Sequence, residues 1–144
     1  MWIVVAMMVV GGAIMACQAP INAALGRHVG IFGSALVSFC IGTAALGIVV
    51  LLAGKANLAA IRNVSWWHLL GGFIGALFVT VTLVAAPRIG VTAMIVAALA
   101  GQMIMAMAID RYGLLGMEAR ALTLTRVAGV ALLVAAVWLI NWKR

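Results

Sequence analysis

Five long apolar runs alternate with short polar segments along this 144-residue chain. A helix needs about 20 mostly apolar residues to cross a bilayer, because the hydrocarbon core is roughly 30 Å thick and a helix rises about 1.5 Å per residue. Each run is about that long. The pattern therefore predicts an all-α integral membrane protein, a single transmembrane domain over residues 1–144, with helices at about 2–25, 31–53, 66–86, 91–109 and 122–142.

The segments between the runs have the composition of turns. Residues 26–30 form a short glycine-bounded polar stretch, and residues 87–90 combine a proline with a glycine, which favours a helix end. Aromatic side chains that prefer the membrane interface lie near the ends of the runs: Trp2, Trp66, Trp67, Tyr112, Trp138 and Trp142. Their positions support the helix limits independently of hydropathy.

Composition excludes a water-soluble globule. The chain is 68% hydrophobic and 8% charged, whereas soluble domains are about 45–50% apolar and about 25% charged. The basic residues stand singly between apolar runs, so we attribute the net charge of +7 to loops that contact lipid headgroups and expect no nucleic-acid partner. Two isolated cysteines do not make a disulfide framework or a metal site. We expect no catalytic residues, no metal ion and no cofactor.

Small residues at four-residue spacing mark where helices can approach closely. Such contacts matter in lipid because helices associate there through van der Waals packing and not through the hydrophobic effect. The expected packing positions are Gly30, Ser34 and Gly42 in the second helix, Gly71 and Gly75 in the third, and Gly101 in the fourth. Residues 11–16 also resemble residues 71–76, and each segment is followed by a basic turn residue, Arg27 or Arg88. Either a duplicated helix pair or chance in a glycine-rich membrane protein explains this similarity.

The basic residues are shared almost evenly between the two sides of the membrane. One side would carry Lys55, Arg62, Arg111, Arg120 and Arg126, and the other Arg27, Arg88, Lys143 and Arg144. The positive-inside rule needs a clear excess on one side, so five against four predicts that both orientations insert. Two oppositely inserted copies could then pair about an axis in the membrane plane. The alternative is that a difference of one still selects an orientation.

A few polar side chains lie deep inside the predicted helices, where lipid would not solvate them. Gln18 and Asn22 are one turn apart, and Pro20 between them is expected to kink the helix and free a backbone carbonyl. Ser38, Thr43 and Gln102 could complete a polar lining for a solute. The competing interpretation is that these groups form hydrogen bonds that only hold the helices together.

Charged residues near the membrane edges suggest a gate or a structural charge network formed by Arg27, Asp110 and Arg126. No Asp or Glu lies in the middle of a helix. Proton-coupled export of cations usually needs such a carboxylate, so a neutral or anionic solute is favoured.

Several motifs, in this order, resemble one known family. They are residues 18–27 (QAPINAALGR), 35–39 (ALVSF) with 42–43, 66–67 (WW) with 71–76 (GGFIGA), 87–90 (PRIG), 101–102 (GQ), 110–113 (DRYG) and 126–129 (RVAG). Together they are similar to the YdcZ-type five-helix membrane proteins of the drug/metabolite transporter superfamily. The resemblance implies a bacterial inner-membrane location and five-helix subunits paired into a ten-helix antiparallel dimer. It implies no particular substrate.

The sequence thus predicts a multi-pass transporter subunit, not an enzyme, that works by alternating access as a dual-topology homodimer in lipid and moves a small solute. The partner could be a second copy or a paralogue. A passive anion channel and a non-transporting assembly or regulatory protein remain as alternatives.

Overall fold

Five long helices make up most of the described part of the chain. The computed structural model describes residues 2–54 and 56–142, and no strand occurs among them. The helices are α1 (Trp2–Val29), α2 (Ile31–Ala53), α3 (Leu70–Ile89), α4 (Val91–Tyr112) and α5 (Leu124–Asn141). All five are long and apolar enough to cross a membrane when the turn that precedes α3 is counted with it, as Trp66–Ile89. The expectation of an all-helical fold with five helices long and apolar enough to span a membrane is confirmed for the described residues.

Two helices, α1 and α4, are longer than the sequence pattern indicated, and α3 is shifted, because Trp66–Leu69 form a separate 3₁₀ turn before it. α1 continues through the polar stretch 26–29, and α3 includes Pro87 and ends at Ile89. α4 reaches Tyr112, while α5 is slightly shorter than expected because Thr123 caps its first turn. Basic residues suit a last helical turn, where they face the negative end of the helix dipole. A proline close to a helix end removes a backbone hydrogen bond without breaking the helix across its middle.

Single glycines join α1 to α2 and α3 to α4. Gly30 has φ 77° and ψ 164°, and Gly90 has φ 77° and ψ 157°, a backbone region that is essentially open only to glycine. Each carbonyl then accepts from the first turn of the next helix, Ser34 N–H at 2.9 Å and Met94 N–H at 3.1 Å. Gly30 and Gly90 are separated by the same number of residues as Gly11 and Gly71. The shared backbone conformation of the two joints is therefore consistent with a duplicated helix pair.

We expect Gly30→Ala and Gly90→Ala each to lower the free energy of unfolding by about 1–3 kcal/mol, because alanine is strained at this φ and ψ. Thermal unfolding in detergent measures the loss. The matched control is Gly47→Ala inside α2, where an added Cβ has no atom within 4 Å and the change should raise stability by roughly 0.5–1 kcal/mol. Equal stability of all three variants would contradict the assignment of the two joints.

The chain divides into two compact units, Met1–Arg88 and Ile89–Arg144. In the first unit, a small core of Ala35, Val79 and Leu83, with Ala23 packed against it, brings α1, α2 and α3 together. Small side chains at these positions let the helices approach closely. In the second unit α4 packs against α5, and a 3₁₀ turn at Leu114–Gly116 lies in the connection between them.

Large apolar side chains cover most of the outer surface. Leu51 and Leu52 are each 83% exposed and Leu124 is 85% exposed in a single copy of the chain. Water does not tolerate so continuous an apolar surface, whereas lipid does. The surface is therefore apolar and suited to lipid, as the composition predicted.

Candidate functional site

A buried polar cluster joins α1 to α2, and we call Asn22, Ser34 and Ser38 the amide–serine cluster. Asn22 is 5% exposed and Ser34 is 0% exposed. The Ser38 hydroxyl donates to Oδ1 of Asn22 at 2.5 Å, and the Ser34 hydroxyl donates to the backbone carbonyl of Asn22 at 2.7 Å. The cluster is therefore polar, internally bonded and enclosed within a helix pair that is otherwise apolar.

The small-residue spacing of α2 places both serines against α1. Ser34 and Ser38 are one turn apart and share a face of α2. Opposite them, Gly26 is small enough that a Cβ added to it would lie 3.7 Å from Cβ of Ser34. Serine and threonine in membrane helices often bond a carbonyl of their own helix, as Thr80 and Thr82 do here with Ala76 and Val79. The two α2 serines bond across the helix pair instead.

One donor of the cluster is left for a ligand. Oδ1 of Asn22 accepts from Ser38, while the described residues provide no hydrogen-bond acceptor for its Nδ2 amine. No side-chain nitrogen or oxygen among the described residues is both fully buried and without a partner, so this amine keeps some accessible surface. An amide N–H donates to neutral and anionic oxygen atoms. The cluster can therefore hydrogen-bond a carbonyl, hydroxyl or carboxylate of a solute.

Three other predicted lining residues make no side-chain hydrogen bond to this cluster. Gln18, Thr43 and Gln102 are exposed in a single copy of the chain, and none has a side-chain hydrogen bond to another described residue. Gln18 is one turn before Asn22 on α1, and Gln102 is in the second unit. An amide facing hydrocarbon with no partner costs a few kcal/mol. These side chains therefore need cover from something other than lipid.

Pro20 lies inside α1 on an exposed surface, and the helix runs through it without a break. Because proline has no amide hydrogen, the carbonyl of Ala16 loses its usual helical partner. That this carbonyl binds a solute, and that Pro20 bends α1, stay predictions.

The predicted packing glycines fall into two groups. Gly75 packs against Phe39, whose ring would lie 3.5 Å from an added Cβ, and Gly30 forms the joint between α1 and α2. Gly42, Gly71 and Gly101 have nothing within 4 Å of an added Cβ. The helices of one copy leave these three glycines uncovered.

An ion pair links the end of α4 to the start of α5. Nη1 of Arg126 lies 3.2 Å from Oδ2 of Asp110, with the two side chains 44% and 36% exposed. The backbone N–H of Arg120 also donates to the Asp110 carbonyl at 2.6 Å. The third member of the predicted charge network, Arg27, lies exposed in the last turn of α1, beside a pocket that also contains Arg88.

We expect Asp110→Asn to lower the free energy of unfolding by only about 0–1 kcal/mol, because a half-exposed ion pair is screened by water. Thermal unfolding of the single variants and of Asp110→Asn with Arg126→Gln gives their coupling energy. Solute flux should stay near the wild-type rate if the pair is structural. A large loss of flux without loss of stability would instead make the pair a gate.

The sequence pattern does not predict the buried polar roles of two residues, Ser34 and Thr82. The spacing of Ser34 predicts a packing position only, yet this residue is fully buried and its hydroxyl donates to the Asn22 backbone carbonyl. Thr82, 8% exposed, was not singled out. The signal for it was present, because Thr82 has the same offset from Gly71 that Asn22 has from Gly11.

Comparison with known proteins identifies one matching protein family. The sequence model of the family described as "Putative inner membrane exporter, YdcZ" matches residues 3–139, nearly the whole chain. No curated protein and no solved structure shows a significant match. The match agrees with the resemblance in the sequence motifs and places the protein in the inner membrane. An exporter is not a class of enzyme.

Proposed function

Because this chain belongs to the YdcZ family of the drug/metabolite transporter class, we propose that it is one subunit of a small inner-membrane exporter. Two antiparallel copies would move a small neutral or anionic solute by alternating access. The observation that carries the proposal is the amide–serine cluster, a buried polar group with a free donor within an apolar helix pair. Residues of that kind inside a membrane commonly mark a substrate path.

The uncovered polar and small residues support pairing of two copies. Gln18, Thr43 and Gln102, and the glycines Gly42, Gly71 and Gly101, are exposed in a single copy of the chain. Glycine faces allow close helix contact, and amides on such faces form hydrogen bonds between helices. A second copy over these faces would cover both groups of residues, and the central path would then be lined from both subunits.

The charge distribution supports opposite orientations. Arg126 lies in the first turn of α5 and is exposed, so it belongs in the count of charges at the membrane edge. Arg62, Arg111 and Arg120 share its side of the membrane in a five-crossing chain, and Arg27 and Arg88 lie on the other side. The remaining residues of the count, Lys55, Lys143 and Arg144, lie outside the described residues. The excess is one basic residue, which gives almost no preference for either orientation.

The chemistry of the cluster supports a neutral or anionic solute. The only acidic residues of the chain are Asp110 and Glu118, and both lie at or beyond the end of α4. Within the first unit, which contains Asn22 and no Asp or Glu, a transported cation would meet amide and hydroxyl groups but no side-chain carboxylate. A transported anion would meet the N–H donor of Asn22.

Flux in proteoliposomes tests this function. Purified protein is reconstituted and loaded with a panel of labelled neutral solutes and carboxylates, and uptake is measured with and without the same solute inside. Saturable uptake that internal solute accelerates is the expected result, since exchange is typical of alternating access. Fast conductive anion leak would favour a channel, and no flux over the whole panel would favour an assembly or regulatory role. Liposomes with Asn22→Leu protein control for leak.

A further inference from the structure

A pocket of about 250 Å³ lies in the first unit, near the ends of α1 and α3. Arg27 from the last turn of α1 and Arg88 from the last turn of α3 both line it. Ile31, the first residue of α2, and the apolar side chains of Leu83 and Val84 form other walls. The pocket therefore combines two cationic groups with an apolar lining at the edge of a membrane-spanning segment.

Both arginines lack an acidic partner in the part of the chain that the structure describes. The chain has two acidic residues, and Asp110 pairs with Arg126. Among the described residues, no carboxylate lies within ion-pair distance of Arg27 or Arg88. Two like charges beside one pocket repel each other, and an anion between them would remove that cost. A guanidinium also matches the geometry of an oxyanion, to which it can donate two parallel hydrogen bonds.

We propose that this two-arginine pocket binds a phosphate group. The N-terminus of α2 adds the positive end of a helix dipole beside the arginines. Phosphate could reach the pocket from two sources, the headgroup of an anionic lipid or a phosphate compound in solution. The apolar walls of Leu83 and Val84 suit either the glycerol end of a lipid or the organic part of a soluble phosphate.

The sequence repeat gives an independent reason for the pairing of these arginines. Arg27 and Arg88 follow the two similar glycine segments, 11–16 and 71–76, at nearly equal distances. Their helices end at joints with the same backbone conformation, Gly30 and Gly90. The last turns of α1 and α3 thus supply one cation each to the same pocket, Arg27 three residues before Gly30 and Arg88 two residues before Gly90.

This site does not depend on the proposed transport function. Gly26, which also lines the pocket, is one helical turn beyond Asn22, so the pocket and the amide–serine cluster are neighbouring but separate. Binding can be measured on protein in detergent, where no flux is needed. Failure of the flux experiment would therefore leave this inference standing, and the reverse also holds.

The test must separate a shaped pocket from general attraction of basic residues to anions. Val84→Phe fills the pocket without changing any charge. Arg88→Lys keeps the positive charge but removes the planar guanidinium, which can donate two parallel hydrogen bonds to an oxyanion. Arg62→Gln is the matched control, because Arg62 is an exposed arginine outside the pocket. Circular dichroism and gel filtration in detergent show which variants are folded.

Two binding measurements distinguish the sources of phosphate. Inorganic phosphate is titrated calorimetrically into protein in a neutral detergent at constant ionic strength. In parallel, native mass spectrometry counts phosphatidylglycerol retained on protein released from nanodiscs of equal phosphatidylglycerol and phosphatidylcholine. We expect one or both ligands to bind wild-type and Arg62→Gln protein alike. Arg27→Gln, Arg88→Gln and Val84→Phe should each weaken that binding at least about tenfold, and Arg88→Lys should weaken it by a smaller factor.

Saturable inorganic phosphate binding that depends on the pocket assigns a soluble ligand. Retained phosphatidylglycerol that depends on the pocket assigns a lipid headgroup. Absence of both, or equal weakening by Arg62→Gln, would overturn the proposal. If an arginine variant fails to fold, Val84→Phe and Arg88→Lys decide the result.

Discussion

Asn22→Leu should reduce solute flux about a hundredfold while the protein stays folded. Leucine has a similar size but neither donates nor accepts, so the solute loses the free Nδ2 donor and the oxygen that positions Ser38. Two lost hydrogen bonds of about 1.4 kcal/mol each correspond to a factor of about 100 in rate. Initial uptake rates in proteoliposomes with equal amounts of inserted protein give the ratio.

A double variant separates transport from folding. Asn22→Leu alone leaves the Ser38 hydroxyl without its acceptor, whereas Asn22→Leu with Ser38→Ala replaces both partners by apolar groups, a change that can be nearly neutral for stability. We expect wild-type unfolding temperature within a few degrees and no recovery of flux. The control is Thr80→Val, because the Thr80 hydroxyl bonds only Ala76 of its own helix. Wild-type flux in the double variant would show that the cluster is structural only.

Variants that insert in only one orientation should not transport solute when each is expressed alone. Transport should return when two oppositely oriented variants are expressed together. Asn57→Lys with Asn63→Lys raises the basic count of one side from five to seven. Arg62→Gln, Arg120→Gln and His28→Lys shift it the other way, to three against five. Each variant should then insert in one direction and transport at less than about a twentieth of the wild-type rate. Two oppositely fixed variants produced together can form antiparallel pairs.

Co-expression of the two fixed variants in equal amounts should restore about the wild-type flux, because wild type is then itself an equal mixture of two orientations and forms the same fraction of opposite pairs. Uptake in cells or membrane vesicles measures this recovery. The control is co-expression of each variant with itself on two plasmids, which should stay inactive. Full activity of either variant alone would rule out the antiparallel dimer as the working unit.

Run length and glycine positions were enough to predict the helices, because a bilayer leaves few alternatives for an apolar segment of about 20 residues. The helix ends were harder. The stretch before Gly30 contains Arg27 and His28, which are typical of a loop but also suit a last helical turn. Only the backbone conformation of Gly30 shows where the chain reverses. Pro87 was similarly ambiguous, since its cost depends on its distance from the helix end.

The site was predictable in its residue types and less so in its contacts. The sequence placed Asn22 and Ser38 among the groups that lipid would not tolerate, and the structure joins them. Ser34 could not be recognised as a donor, because spacing shows which face a serine occupies but not which carbonyl its hydroxyl reaches. Gln18 and Gln102 have no side-chain hydrogen-bond partner among the described residues of one copy, so the pattern of a single chain does not show what surrounds them.

One-sided labelling tests the central claim, dual insertion, most directly. Cys17→Ala and Cys40→Ala remove the native thiols, and one cysteine is added after Arg144. Intact cells are treated with a membrane-impermeant maleimide, and the labelled fraction is compared with that in opened cells. We predict that about half of the protein is labelled, because nearly equal charge on the two sides gives both orientations. Complete labelling, or none, would contradict dual insertion and the antiparallel dimer with it.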